Sequence, residues 1–190
     1  MTDPFTLRLA TPADVPTLAE LIPLSVRALS AEHYTPAQIE SSIRYVFGLD
    51  TELLADGTYF AVETVDGQIV GCGGWSRRRT LFGGNQAKGT ALAPTDDLLD
   101  PNTDAARVRA FFIHPDWARL GIASRIMQAC LAAARAAGFR RLILAATLPG
   151  VPLYRAWGFV ETRPLPTTLP DGTSIAFVEM SSTIDAPTPV

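Results

Sequence analysis

Apolar and polar positions follow two alternating periods along the chain. Phe5-Thr6-Leu7-Arg8-Leu9 alternates and predicts a short strand. Thr11-Pro12-Ala13-Asp14 then reads as a helix start, with a capping hydroxyl, a proline suited to the first helical position and an acid in the positive first turn. Val15, Leu18, Leu21 and Ile22 supply a helical stripe, which Pro23 is expected to kink or end. A second helix is predicted from Pro36, with Ile39, Ile43, Val46 and Phe47 on one face and Gly48 as its cap. Runs 58–64 and 68–75 are of strand type, joined by the Asp66-Gly67 turn of a hairpin. Residues 107–113 form another strand, with Val108, Ala110 and Phe112 assigned to one face. The strongest helix runs from Gly121 to about Ala137, with Ile122, Ile126, Met127, Cys130 and Ala134 on its apolar side. Residues 142–146 lack alternation and predict a strand buried on both faces. A short helix at 153–157 and strands at 159–162 and 174–180 complete the pattern.

Hairpins therefore coexist with a strand–helix–strand crossover. The expected architecture is α/β, with an α+β mixed sheet of seven strands and helices on both faces. We expect a single domain over 1–184 and a disordered, proline-containing tail at 185–190. The stretch 77–105 has no periodicity, is basic at its start and acidic at its end, and is expected to be a functional loop. Its opposed charges are expected to help fold it back on itself.

Composition narrows the function classes. The chain has 190 residues, 47% of them hydrophobic, and a formal net charge of −3. That supports a full core and gives no basic excess for nucleic acid or an anionic membrane. The 13-residue charge-free run from Leu142 to Tyr154 is interrupted by Pro149 and Pro152, so it does not predict a bilayer span. The first residues lack the basic-then-apolar order of a signal peptide. Two isolated cysteines, Cys72 and Cys130, predict no disulfide framework, no zinc site and a reduced, cytoplasmic compartment. Neither a G-x-x-x-x-G-K-[ST] loop, a G-x-S-x-G elbow nor a G-x-G-x-x-G after the first strand is present. Gly71-Cys72-Gly73-Gly74 precedes no helix and reads as close backbone packing in a strand.

The chemically informative segment is Phe111 to Ser124, where a strand stops at Pro115 and a turn feeds a helix. The first helical turn presents free N–H groups and the positive end of the helix dipole. Gly121 and Ala123 leave room for an anion to approach, and Arg119 and Arg125 add charge at the edge. From these residues alone, an ordinary loop-to-helix junction is the plainer alternative.

Ile113-x-Pro115-x-Trp117-x-Arg119-x-Gly121-x-Ala123, followed by an alanine-rich helix, resembles the acyl-CoA loop of the GNAT superfamily of acetyltransferases, R/Q-x-x-G-x-G/A after V-x-P. Leu153-Tyr154-x-x-Trp157-Gly158-Phe159 resembles its second signature, Y-x-x-x-G-F, and Leu7-Arg8-Leu9-Ala10 with Asp14 resembles its N-terminal segment. The order of elements agrees along most of the chain. Three positions depart from the family pattern: Ala118 replaces the first Arg or Gln of the loop, Thr147 stands where an Asn is frequent, and Leu142 occupies the place of a glutamate base.

The resemblance implies a GNAT-like fold and an N-acetyltransferase that uses acetyl-CoA, without a metal, to acetylate a primary amine by direct attack through a tetrahedral intermediate. The diphosphate would lie on the amides of Arg119, Leu120, Gly121, Ile122, Ala123 and Ser124. The pantetheine arm would pair with the backbone of Phe111, Phe112 and Ile113. A free amide at Phe111 or Phe112 would hold the oxyanion, and Tyr154 would protonate the leaving sulfur. For the acceptor side the candidates are His33, Tyr34, Glu63 and Trp75. The plainer readings are a surface histidine for His33 and an exposed strand-end charge for Glu63. His114 is assigned a structural role. Arg107 and Arg109 are expected to pair with Asp100 or Asp104, and loop 77–105 to cover the acceptor mouth. The rival reading is a non-catalytic acyl-CoA-binding sensor. The acceptor is open between a small amine and a peptide amine, and a homodimer through terminal strands is conceivable.

Overall fold

The computed structural model describes residues 3–88, 90 and 97–184, so the expected tail at 185–190 lies outside the described residues. One mixed seven-stranded sheet runs through the molecule in the order β1-β2-β3-β4-β5-β7-β6. The strands are β1 (Phe5–Leu9), β2 (Tyr59–Thr64), β3 (Ile69–Ser76), β4 (Ala106–Ile113), β5 (Arg141–Thr147), β6 (Val160–Thr168) and β7 (Ser174–Thr183). The helices are α1 (Val15–Ser30), α2 (Pro36–Tyr45), α3 (Thr51–Ala55), α4 (Ile122–Ala136) and α5 (Val151–Ala156).

Each face of the sheet carries its own core. On one side α4 buries Ile122, Ile126, Met127, Cys130 and Ala134 against Val62, Val70, Val108 and Leu144. On the other, α1 and α2 bury Leu18, Ile22, Val26 and Ile39 against Tyr59, Cys72, Phe112 and Phe177. The β3 glycines make the close seat for α4: a Cβ on Gly71 would come within 2.6 Å of Ile122, and one on Gly73 within 2.8 Å of Ile126.

Several expectations are corrected. Pro23 does not end α1, which continues to Ser30. The missing N–H costs one helical bond, but Ser25 and Val26 beyond it are buried, so packing holds the helix together. The short helix α3, capped by Asp50, lies between α2 and β2, where the sequence pattern predicts no element. Strand β6 runs to Thr168, past Pro164 and Pro166, because an edge strand tolerates residues that cannot donate. Strand β5 alternates after all: Leu142, Leu144 and Ala146 are buried, while Ile143 and Ala145 are half-buried.

The main surprise is a β-bulge in β4. Between the pairs Arg109–Gly74 and Phe112–Cys72, β4 spends one residue more than β3, and Ala110 adopts a left-handed φ of 60°. The bulge shifts the side-chain phase. Val108 therefore lies in the α4-side core, while Ala110 and Phe112 both pack on the α1 side.

Candidate active site

Strands β4 and β5 are parallel neighbours, yet their register covers only Ala106–Leu142 and Arg107–Ile143, at their N-terminal ends. Beyond those pairs the strands part. The gap leads into a cleft of about 710 Å³ between α1, the turn before α4, and α5. Phe111, Phe112 and Ile113 line it from β4; Arg119, Gly121, Ile122, Ala123 and Ser124 line it from the turn and the start of α4. Leu120 is brought to the same turn, but its side chain is exposed and does not line the cleft. Ala118, which replaces the basic residue of the loop, also lines it.

The turn has the shape an anion needs. Arg119 and Gly121 both have left-handed φ values, 67° and 82°. This pattern points successive amides to one side of the chain. A Cβ at Gly121 would meet nothing within 4 Å, so the space in front of the helix end is open. Arg125 is drawn to the rim, paired with Asp3 and lying over the Phe5 ring, 5.7 Å from its centroid. These residues fit a diphosphate. No group of three or more His, Cys, Asp or Glu able to hold a metal ion occurs among the described residues. His114 caps the turn after β4, its Nδ1 accepting from the Asp116 amide at 3.3 Å.

A second, smaller cavity of about 80 Å³ lies on the α1 face of the split. It shares Phe47, Phe111, Phe112, Thr147 and Tyr154 with the larger cleft, so Tyr154 stands at the junction of the two. The Tyr154 ring is packed between Phe111 and Phe159, with centroids 6.2 and 5.9 Å away. Burial pushes its hydroxyl pKa well above the usual value and keeps the proton on. Among the β4 amides, Ile113 donates to Ser25 Oγ at 3.0 Å and Phe112 is directed at the Cys72 sulfur.

The small cavity is walled by Leu81, Phe82, Gly83 and Gly84 of the long loop. Two backbone bonds, Gly84 N–H to Val46 O at 3.1 Å and Asn85 N–H to Leu49 O at 2.9 Å, fasten it to the segment after α2. Gly84 fits because a Cβ there would lie 2.8 Å from the Gly48 and Leu49 carbonyls. Farther out, the loop folds back through an isolated Arg78–Leu98 bridge and the bonds Arg79 N–H to Asp97 O and Leu99 N–H to Arg77 O. Backbone pairing does this, more than the opposed charges: the Arg79–Asp104 pair is 3.9 Å apart.

The acceptor-side candidates fare differently. Tyr34 is buried and ties the exit of β5 to β7, accepting from Leu148 N–H at 2.9 Å and donating to Ala176 O at 2.7 Å. His33 is exposed and lines neither cavity; Glu32 beside it lines the larger cleft. Glu63 is held by Arg8 at 2.9 Å on the β1–β2 side of the sheet and lines neither cavity. Trp75 is buried in the α4-side core against Phe139, outside both. Arg109 does not pair with Asp100 or Asp104; its guanidinium forms a buried ion pair with Asp50 and donates to Gly83 O and, at 3.2 Å, to Thr80 O. Arg107 donates instead to Arg79 O at 3.3 Å.

Asp50, Phe47 and Phe82 are the residues of this site that sequence reasoning missed. Asp50-Thr51-Glu52 does carry a helix-cap signature that would have revealed α3. Phe82 lies in a stretch without period and gives no signal.

A sequence profile of the acetyltransferase (GNAT) family matches residues 24–159. The chain belongs to the GNAT acetyltransferase family. Solved GNAT structures share its fold at low identity. A GCN5-related N-acetyltransferase from Rhodopseudomonas palustris superposes with a TM-score of 0.69 at 20% identity, over 96% of this chain and 97% of the other. A phosphinothricin acetyltransferase from Sinorhizobium meliloti, solved with acetyl-CoA, gives 0.60 at 19% identity over 99% and 94%. The PaiA N-acetyltransferase from Thermoplasma acidophilum, solved with coenzyme A, gives 0.60 at 14% over 94% and 98%. A comparison with curated proteins gave no match. Among the described residues of this GNAT chain, no helix is long and apolar enough to cross a membrane.

Proposed function

We propose that this GNAT protein transfers the acetyl group of acetyl-CoA to the nitrogen of a primary amine, with the donor in the larger cleft and the amine in the smaller cavity. The observation that carries the reading is Tyr154, a buried hydroxyl lining both cavities where β4 and β5 separate. The amides of residues 119–124 would hold the diphosphate, with Gly121 giving the close approach. The run of β4 beyond its pairing with β5 would hold the pantetheine arm.

Acetyl-CoA supplies a thioester whose C–S bond breaks as the amine forms its C–N bond. The amine must first be neutral, and a lysine-like amine has a pKa of about 10.4 in water. Neither Glu63 nor His33 reaches the cavities, so this reading gives the first proton to solvent water. Phe111, at the bulge and lining both cavities, would offer its amide to the carbonyl oxygen as it gains charge. Tyr154 gives its proton to the departing sulfur and recovers one from the nitrogen. Its raised pKa keeps that proton in place until a thiolate develops in the same apolar surroundings.

The experiment is thiol release from acetyl-CoA across an amine panel, alongside calorimetry with coenzyme A. Coenzyme binding with amine-dependent release is expected. Binding without release from any amine would return the protein to the sensor reading.

A further inference from the structure

The α1 wall of the larger cleft places a hydroxyl against the backbone of β4. Ser25 Oγ accepts from the Ile113 amide at 3.0 Å, and both residues line the cleft. The direction of that amide is set by its neighbours in the strand. The Phe112 amide is directed at the Cys72 sulfur and the His114 amide donates to Val70 O at 2.9 Å, so both face β3. Amides alternate in direction along a strand, so the Ile113 amide faces the other edge, where β5 has parted from β4. Ser25 therefore stands over the opening, between the amide and whatever lies in the cleft.

A hydroxyl has a proton to give as well as lone pairs that accept. Ser25 is 4% exposed, and its proton has no acceptor among the described residues. A buried donor left in this state is destabilising until a ligand accepts from it. Nor can Ser25 swing clear of the amide. Ile22 and Val26, on the same helix, are buried in the α1-side core with Tyr59 and Phe112, so moving Ser25 away means dislodging α1. Val26, Leu29 and Leu153 line the cleft as well, and their side chains offer apolar contact and no competing donor.

We infer that Ser25 is a binding residue for the acyl donor: its O–H donates to an amide carbonyl of the pantetheine arm, and the Ile113 amide acts on the arm through this hydroxyl rather than directly. The inference rests on the proposed seating of acetyl-CoA in this cleft. The hydrogen bonds then run in one direction, from Ile113 N–H to Ser25 and from Ser25 O–H to the ligand, each polarising the next.

The test is calorimetry on the full chain with coenzyme A and with ADP, which carries the diphosphate without the arm. Ser25→Ala suits a helix interior and should fold as the parent does. Its Kd for coenzyme A should rise about 10-fold, the scale of one hydrogen bond lost with a buried group left unpaired. Its Kd for ADP should not change. An unchanged Kd for coenzyme A would overturn the inference. A lower one would do so too, because Ser25 would then be an obstruction covering the amide that the arm needs. An equal loss for ADP and coenzyme A would make Ser25 merely structural. Those three outcomes leave acyl transfer standing. Failure of coenzyme A to bind the parent protein would overturn both readings.

Discussion

The larger cleft and the smaller cavity meet at Tyr154, but they are made from different materials. One wall of the cleft is a contiguous run, Phe111 to Ser124, that offers backbone: amides at a helix start, two left-handed residues and a glycine open to solvent; α1 and residues 147–156 supply most of the rest. The cavity is assembled from five separated segments around Phe47, Phe82, Arg109, Thr147 and Tyr154, and depends on side chains. Backbone recognition needs few residue types and leaves a spacing in the sequence. Side-chain recognition can be drawn from any loop and leaves none. A GNAT protein can therefore keep its donor and exchange its acceptor by altering loops alone.

This contrast can be broken most severely at Gly121. Gly121→Glu places a negative charge on the anion seat and a side chain at a φ of 82°. Coenzyme A affinity should fall more than about 100-fold by calorimetry, with a melting cost of about 1–2 kcal/mol for the left-handed residue. Tyr154→Phe comes next. It should lower kcat by about 100-fold or more through loss of the general acid, while coenzyme affinity is retained; undiminished turnover in stopped thiol assays would remove that role. Phe82→Ala should act on one side only, raising the amine KM by about 10-fold through lost apolar contact, with the acetyl-CoA KM unmoved.

The smallest effect should come from Asp14→Asn, which touches neither cavity. The Arg8 guanidinium, in a bidentate pair at 2.8 and 2.9 Å, holds the Asp14 carboxyl down at about 2. A lowered pKa means the stabilisation is complete above the unfolded value near 3.9 and is lost as pH falls through about 2. The variant should lose about 1–2 kcal/mol at pH 7, allowing for the partial exposure of Arg8. That loss should vanish in denaturation curves taken near pH 2, with both KM values unchanged at pH 7.

The same contrast explains what could be read from the chain. The seven strands and the crossover helix follow from local period, and of the nine residues that the GNAT resemblance puts at the turn before α4 and on β4, eight line the cleft. Leu120 is the exception, because only its backbone belongs to the turn. What was misread depends on tertiary context. Pro23 is carried through α1 by packing on both sides of it. The bulge at Ala110 reverses the phase of β4, and no composition rule marks an alanine for a left-handed φ. Trp75 and Glu63 sit at strand ends where a site was plausible, yet one is taken into the α4-side core and the other by Arg8. Asp50 and Arg109 are 59 residues apart and meet only because the long loop closes over both.

Cys72 and Cys130 have a practical consequence. Both are fully buried, and burial pushes the Cys72 thiol up to about 12 and Cys130 higher still. Thiolates are the reactive form, so neither side chain competes for an aromatic disulfide reagent in the folded protein. The colour such a reagent develops during turnover then counts product alone, and a slow protein-derived rise in the same trace reports unfolding.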